Sequence, residues 1–116
     1  MTTASGRVMR SWTGWIRPED RKTYQKYLED TGLREYRETP GNLGAFLVFR
    51  DLDDGRTEVR TLSLWESRDA IAAFAGEHIE TAVFYDEDDR YLVDRQLGVE
   101  HYDLAWADWS DMPHRT

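Results

Sequence analysis

A short segment in the middle of the chain places a strand-like stretch directly before a helix. Residues 62–65 (Leu-Ser-Leu-Trp) are typical of a strand, Ser67 is a preferred N-cap residue, and residues 69–74 carry an alanine-rich helical pattern. The large ring of Trp65 sits at this junction, and pockets often lie where sheet and helix layers part. The segment therefore predicts a sheet with packed helices and a pocket wall at Trp65.

The other segments of the chain predict the element order β-α-β-β-α-α-β. Predicted strands cover residues 7–16, 44–50, 56–65 and 99–105, and predicted helical segments cover residues 18–30, 69–76, 78–84 and 90–96. Residues 33–39 are compatible with a further helical turn. This order is typical of a ferredoxin-like α+β fold, in which one antiparallel sheet carries helices on a single face. We expect one such domain over residues 7–105, with flexible tails at residues 1–6 and 106–116.

The second predicted strand contains an unbroken apolar run at residues 45–49, which predicts a strand covered on both faces. Helices on one side of the sheet cover only one of these faces. The other face would leave an exposed apolar patch larger than most monomers tolerate. Two copies whose sheets pack face to face would bury this patch, so we expect a homodimer, a dimeric α+β barrel whose pockets lie on the helical side.

Charge and composition exclude several classes of function. The chain has 116 residues and a net charge of -8, which disfavours binding to nucleic acid or to anionic lipid surfaces. The basic residues of the first quarter, among them Arg10, are predicted to lie on a solvated helix face without a function, with a site for a small anion as the alternative. No stretch approaches the roughly 20 apolar residues of a membrane span, and the absence of cysteine excludes disulfides and thiolate sites. A cytoplasmic protein is the expectation.

Several segments together resemble the antibiotic biosynthesis monooxygenase family of the dimeric α+β barrel superfamily. These segments are residues 31–33 (Thr-Gly-Leu), Tyr36, residues 39–44 (Thr-Pro-Gly-Asn-Leu-Gly), residues 62–67 and residues 70–76. The resemblance extends over nearly the whole domain, and the strand-Trp-Glu-Ser-helix junction is its most specific part. It implies a dimer with a pocket between the sheet and the helices of each subunit. Some members use such a pocket to oxygenate polycyclic phenols to quinones without metal or flavin.

The chain departs from the catalytic residues of this family at several positions. Quinone-forming relatives carry an asparagine four residues before the matching tryptophan and a tyrosine six residues after it, whereas this chain has Thr61 and Ile71 there. Only Trp65 is carried over. Haem-degrading relatives have a tryptophan and, ten residues later, a histidine on the second crossover, where this chain has Phe74 and Phe84. No cofactor is therefore expected, and haem is disfavoured.

Oxygenation without a cofactor needs a base that ionises the substrate, and three residues are candidates for catalysis. His101 and His78 are suited to this role because imidazole titrates near neutrality. The alternatives are a structural histidine on the last strand for His101 and an exposed turn residue for His78. Tyr85, beside the break in the second crossover, could donate a hydrogen bond to the substrate. The acidic run at residues 86–89 is predicted to be a solvated helix N-terminus, and no metal site is expected.

Five residues are candidates for binding the substrate: Trp12, Tyr36, Asn42, Trp65 and Phe74. The alternative for both tryptophans is ordinary core packing, and the alternative for Asn42, after Pro-Gly, is a turn. The sequence thus predicts a cofactor-independent monooxygenase acting on a small aromatic or polyketide-like substrate. The alternatives are a non-catalytic dimer that binds a hydrophobic ligand or haem, and a dimer with a filled interior.

Overall fold

The computed structural model describes residues 6–108, which form one antiparallel sheet with packed helices. The strands are β1 (Val8–Ile16), β2 (Asn42–Asp51), β3 (Thr57–Trp65), β4 (Leu92–Arg95) and β5 (Glu100–Asp103), and the helices are α1 (Arg21–Asp30), α2 (Gly32–Glu38), α3 (Arg68–Ala75) and α4 (Asp88–Tyr91). The predicted tails lie mostly outside the described residues. As predicted, Ser67 caps α3 by accepting a hydrogen bond from the backbone N–H of Ala70 at 3.1 Å.

The strand order across the sheet begins β2-β3-β1, and all pairs are antiparallel. Beyond β1, the short strands β4 and β5 share one edge, with β5 pairing residues 8–11 and β4 pairing residues 14–16. The register places Val8 opposite Trp65 and Trp12 opposite Thr61. Every second residue of β1 therefore points toward the helices. The α+β sheet architecture expected from the sequence is confirmed.

The core lies between the inner face of the sheet and the helices. One cluster joins Trp12, Ile16 and Val59 of the sheet to Tyr24 and Leu28 of α1. A second cluster, around Trp65, contains residues of α2 and α3. The two clusters together cover the inner face from one end of β1 to the other. No helix in residues 6–108 is long and apolar enough to cross a membrane.

The second crossover, between α3 and β5, differs from the sequence prediction. Residues 78–84 and 90–96 are expected to be helical. Within the described part of the chain, the only helix of this crossover is Asp88–Tyr91, and Leu92–Arg95 is strand β4. The reason is the edge of β1, whose backbone N–H and C=O groups need partners. β4 supplies them at one end of β1 and β5 at the other. The segment before α4 is irregular, with turns and one isolated bridge between Thr81 and Gly98.

Strand β2 is covered on one face only. Ala45, Leu47 and Phe49 pack against the core, whereas Phe46 is 39% exposed and Val48 is 46% exposed. The prediction that both faces are covered is therefore wrong for a single chain. The alternation instead leaves the apolar patch on which the dimer hypothesis rests. The dimer itself stays a prediction.

Candidate functional site

A pocket lies between the inner face of the sheet, helices α1 and α2, and the second crossover. Its lining includes Arg10, Trp12, Tyr24, Leu33, Tyr36, Thr61, Phe74, Phe84, Tyr85 and Asp88. The cavity volume is about 40 Å³, which is room for a few water molecules. Because a cavity of about 150 Å³ is known to hold benzene, an aromatic ligand would have to displace some of the lining side chains.

Six aromatic residues contribute to the wall of this pocket. Trp12 and Phe84 meet edge to face with their ring centroids 6.0 Å apart, and Tyr36 and Phe74 lie 4.8 Å apart. The indole N–H of Trp12 donates to the backbone carbonyl of Gln96 at 2.8 Å, which fixes the orientation of the ring. Four rings contributed by β1, α2, α3 and the crossover thus surround a narrow space. Such a wall favours a flat apolar ligand.

Trp65 lies behind this wall. Its side chain is fully buried, and its ring packs against Tyr36 and Phe74 at centroid distances of 5.9 Å. Its indole N–H donates to the hydroxyl of Ser63 at 2.8 Å. Trp65 therefore supports two rings that line the pocket and does not itself face the cavity.

Arg10 brings a positive charge into the pocket. It points inward from β1 and is only 2% exposed. Its guanidinium donates to the backbone carbonyl of Ile79 through Nη1 and to that of Thr81 through Nη2, the second at 3.2 Å. Its Nε is buried without a hydrogen-bond partner. Burial lowers the pKa of Arg10, and the nearby Tyr36 opposes this effect, but a guanidinium stays protonated throughout the physiological range.

His101 contacts the same guanidinium from β5. Its Nε2 lies 3.1 Å from Nη1 of Arg10, and because a guanidinium has only donors, Nε2 must accept and the ring must be neutral. Burial lowers the pKa of His101, and the charges of Arg10 and Arg68 lower it further. His101 is absent from the pocket lining. It therefore holds Arg10 in position and does not face the space that a substrate would occupy.

Asp88 is a buried carboxylate in the pocket wall, 3% exposed at the start of α4. Its Oδ1 accepts from the hydroxyl of Tyr24 at 3.1 Å, and its Oδ2 accepts from the backbone N–H of Tyr85 at 2.7 Å. Burial raises the pKa of Asp88, although these hydrogen bonds lower it. Each carboxylate oxygen retains a lone pair. Asp88 is therefore placed to accept a proton from a molecule in the pocket.

Tyr85 lines the pocket, but its hydroxyl is already engaged. It donates a short hydrogen bond to the carboxylate of Glu35 on α2. Burial raises the pKa of Tyr85, and the Glu35 carboxylate raises it further. Tyr85 is therefore a neutral donor at physiological pH, and its contact with Glu35 links the crossover to α2.

Two of the sequence candidates lie away from the pocket. The side chain of His78 is 79% exposed, beside the glutamates on either side of it in the sequence. Asn42 begins β2, and its Nδ2 donates to the backbone carbonyls of Gly44 at 3.3 Å and Leu64 at 3.4 Å. The structure thus brings Trp12, Tyr36, Phe74 and Tyr85 together around one cavity, and it places these two elsewhere.

Sequence reasoning missed the two charged residues of the pocket. The sequence prediction places Arg10 on a solvated basic face, yet Arg10 shares the two-residue period of Val8, Trp12 and Ile16, which marks the inner face of β1. That period was the signal that could have identified it. Asp88 stands in an acidic run whose other members are exposed, and nothing in the run distinguishes it.

Comparison with known proteins gives a fold but no sequence relative. No family model and no curated protein sequence matches the chain. Among solved structures, a Bacillus cereus protein provisionally assigned as an antibiotic biosynthesis monooxygenase superposes with a TM-score of 0.62 at 13% identity, covering 90% of this chain and all of the other.

Two further structures with the same fold carry functional names. The cofactor-independent oxygenase SnoaB from Streptomyces nogalater superposes with a TM-score of 0.51 at 15% identity, covering 95% of this chain and 100% of that one. A heme-degrading protein from Mycobacterium tuberculosis superposes with a TM-score of 0.50 at 16% identity, covering 88% of this chain and 98% of that one. The chain therefore has the fold seen in these three structures.

Proposed function

We propose that the protein is a cofactor-independent monooxygenase that oxidises a small phenol in the pocket between its sheet and its helices. The buried Asp88 carboxylate in a pocket lined by six aromatic rings is the observation that carries this proposal. The fold shared with a cofactor-independent oxygenase supports it. The overall reaction converts a phenol and O₂ to a quinone and water, so the phenol supplies all the electrons and no external reductant is needed.

Asp88 acts as the base in this scheme. It takes the proton of the substrate hydroxyl, which leaves a phenolate with enough electron density to reduce O₂. One oxygen atom of O₂ then becomes the second quinone oxygen in place of a ring hydrogen. The other oxygen atom leaves as water with that hydrogen and the proton released by Asp88. The raised pKa of Asp88 brings its carboxylate closer to the pH at which it works, as efficient proton transfer requires. The aromatic wall keeps water from the reactive intermediates.

Oxygen consumption in the presence of a panel of small phenols tests this function. We expect turnover by the wild type and a loss of about 100-fold or more in the Asp88→Asn variant, the usual effect of removing a general base. Asp86→Asn is the matched control, since Asp86 belongs to the same acidic run and is exposed. Absence of uptake with every phenol, or equal uptake by wild type and Asp88→Asn, contradicts the proposal. Tight binding of an aromatic ligand or of haemin without uptake would favour the alternative of a non-catalytic binding protein.

The exposed apolar face of β2 supports a second element of the proposal, a homodimer. Phe46 and Val48 point away from the core beside Leu62 of β3, and a second copy would cover them. We expect light scattering to give the mass of two chains at micromolar concentration and Val48→Glu to give one. Leu97→Glu is the control, because Leu97 is 72% exposed but lies in the turn between β4 and β5. A wild-type monomer would exclude the dimer.

A further inference from the structure

The guanidinium of Arg10 has more donors than the fold uses. It carries five N–H groups, and its terminal nitrogens are engaged by the carbonyls of Ile79 and Thr81 and the ring of His101. The hydroxyl of Tyr36 also lies close enough to raise the pKa of Arg10. Within residues 6–108 the buried Nε–H has no acceptor in hydrogen-bonding geometry, and a buried donor without a partner is destabilising.

The charge of Arg10 is also without a counterion in the part of the chain that the structure describes. Among residues 6–108, no carboxylate forms an ion pair with it, and the carboxylate of the same pocket, Asp88, instead accepts from Tyr24 and Tyr85. The chain has 23 acidic residues, so the missing counterion does not reflect a shortage of carboxylates. An uncompensated buried charge is strongly unfavourable. The hydrogen bonds to the carbonyls of Ile79 and Thr81 show that Arg10 ties the crossover to the sheet. They do not account for the Nε–H that is left without an acceptor.

We infer that the pocket binds an aromatic ligand carrying an anionic oxygen, a carboxylate or an ionised phenol, and that this oxygen accepts a hydrogen bond from Nε of Arg10. The inference rests on the proposed function only in taking this pocket as the ligand site. Phe74 borders the guanidinium, with 5.7 Å between Cζ and the ring centroid, so an aromatic surface adjoins the charge. The hydroxyls of Tyr36 and Thr61, 3.5 Å apart, add polar groups to the lining.

The selectivity for an anion comes from this contact and not from the field of the whole protein. The net charge of -8 repels anions at long range. A charge-assisted hydrogen bond in a buried site is stronger than a neutral one of the same geometry. A ligand with a negative oxygen should therefore bind better than a neutral ligand of the same shape, and this preference should survive added salt, because buried charges are weakly screened.

Benzoate and benzamide are suitable probes, since they share size and shape and differ in charge. We expect benzoate to bind the wild type about ten-fold more tightly, the ratio that one charge-assisted hydrogen bond commonly provides. Arginine side-chain NMR on the same protein should show the Nε–H resonance of Arg10 moving with benzoate and not with benzamide. Equal affinity, failure of both probes to bind, or a shift confined to exposed arginines would overturn the inference.

Two variants sharpen the assignment. Arg10→Met removes the charge at similar volume and should abolish the preference for benzoate. Arg68→Met is the matched control, because Arg68 also lies near His101 but is exposed and paired with Asp103 at 3.3 Å. This variant should still bind benzoate more tightly than benzamide. If Arg10→Met does not fold, the NMR experiment on the wild type still decides the question.

The outcomes for binding and for catalysis are independent. Selective binding of benzoate without oxygen uptake from any phenol would leave the anion site intact and contradict the monooxygenase. Oxygen uptake without any preference between benzoate and benzamide, and without a shift at Arg10, would contradict the anion site and leave the monooxygenase intact.

Discussion

Gly14 controls the position of the pocket wall, and substituting it by alanine gives a direct test of the packing. An ideal Cβ at residue 14 would lie 2.6 Å from Cη2 and 2.9 Å from Cζ2 of Trp12, and 2.9 Å from Cδ2 of Leu92. Favourable contacts between carbon atoms require about 3.5–4.0 Å. The Trp12 ring must therefore move by about 1 Å in a Gly14→Ala variant.

The expected destabilisation follows from two effects. Overpacking of a core position commonly costs about 1–3 kcal/mol. Displacement of the indole also weakens its 2.8 Å hydrogen bond to Gln96, which contributes about 0.5–1.5 kcal/mol. Replacing glycine where φ is ordinary recovers about 0.4–1 kcal/mol through the unfolded state. We expect the free energy of unfolding of Gly14→Ala to fall by about 0.5–4 kcal/mol, the range left by these contributions.

Urea denaturation followed by circular dichroism measures this change. Gly44→Ala is the matched control, because Gly44 also lies in a strand, but its nearest neighbour would be Cε2 of Phe46 at an ordinary 3.9 Å. That variant should be as stable as the wild type or slightly more stable. In a Trp12→Phe background, which lacks the two clashing indole atoms but keeps the contact with Leu92, Gly14→Ala should cost about 1 kcal/mol less. Equal costs in both backgrounds, or equal effects of the two alanine variants, would refute the reasoning.

Two further predictions concern buried polar contacts. Tyr24→Phe should lower the free energy of unfolding by about 1–3 kcal/mol because Asp88 loses a buried donor. The control, Tyr27→Phe, should cost less, because the hydroxyl of Tyr27 accepts from the exposed N–H of Glu87. Similar losses in the two variants would contradict the role of Asp88. The pKa of His101 is lowered in the folded state, so below about pH 6.5 the unfolded chain binds more protons than the folded chain. The free energy of unfolding should therefore be unaffected by His101 above that pH and should decline below it. Urea titrations should show a weaker decline for His101→Gln and an unchanged one for the exposed His78→Gln; a decline shared equally by wild type and His101→Gln would count against this view.

Much of the fold was predictable because it depends on local periodicity. The alternation in β1 and β3, the cap at Ser67 and the apolar stripe of α1 all follow from spacing within one element. The second crossover was not predictable in this way. Its residues have a helical pattern, but the open edge of β1 supplies backbone partners that no local pattern records. Tertiary pairing therefore overrides helix propensity over residues 92–95.

The aromatic part of the site was predictable for the same reason as the core, since Trp12, Tyr36 and Phe74 occupy inward positions of regular elements. The charged part was not, because the burial of a charge is decided by acceptors far away in sequence. Arg10 is held by carbonyls 69 and 71 residues further along the chain, and both belong to the irregular crossover. The segment whose structure departs from prediction is thus the same segment that supplies acceptors to Arg10 and carries Asp88. The chemistry proposed for the pocket depends on this segment more than on the regular elements that identify the fold.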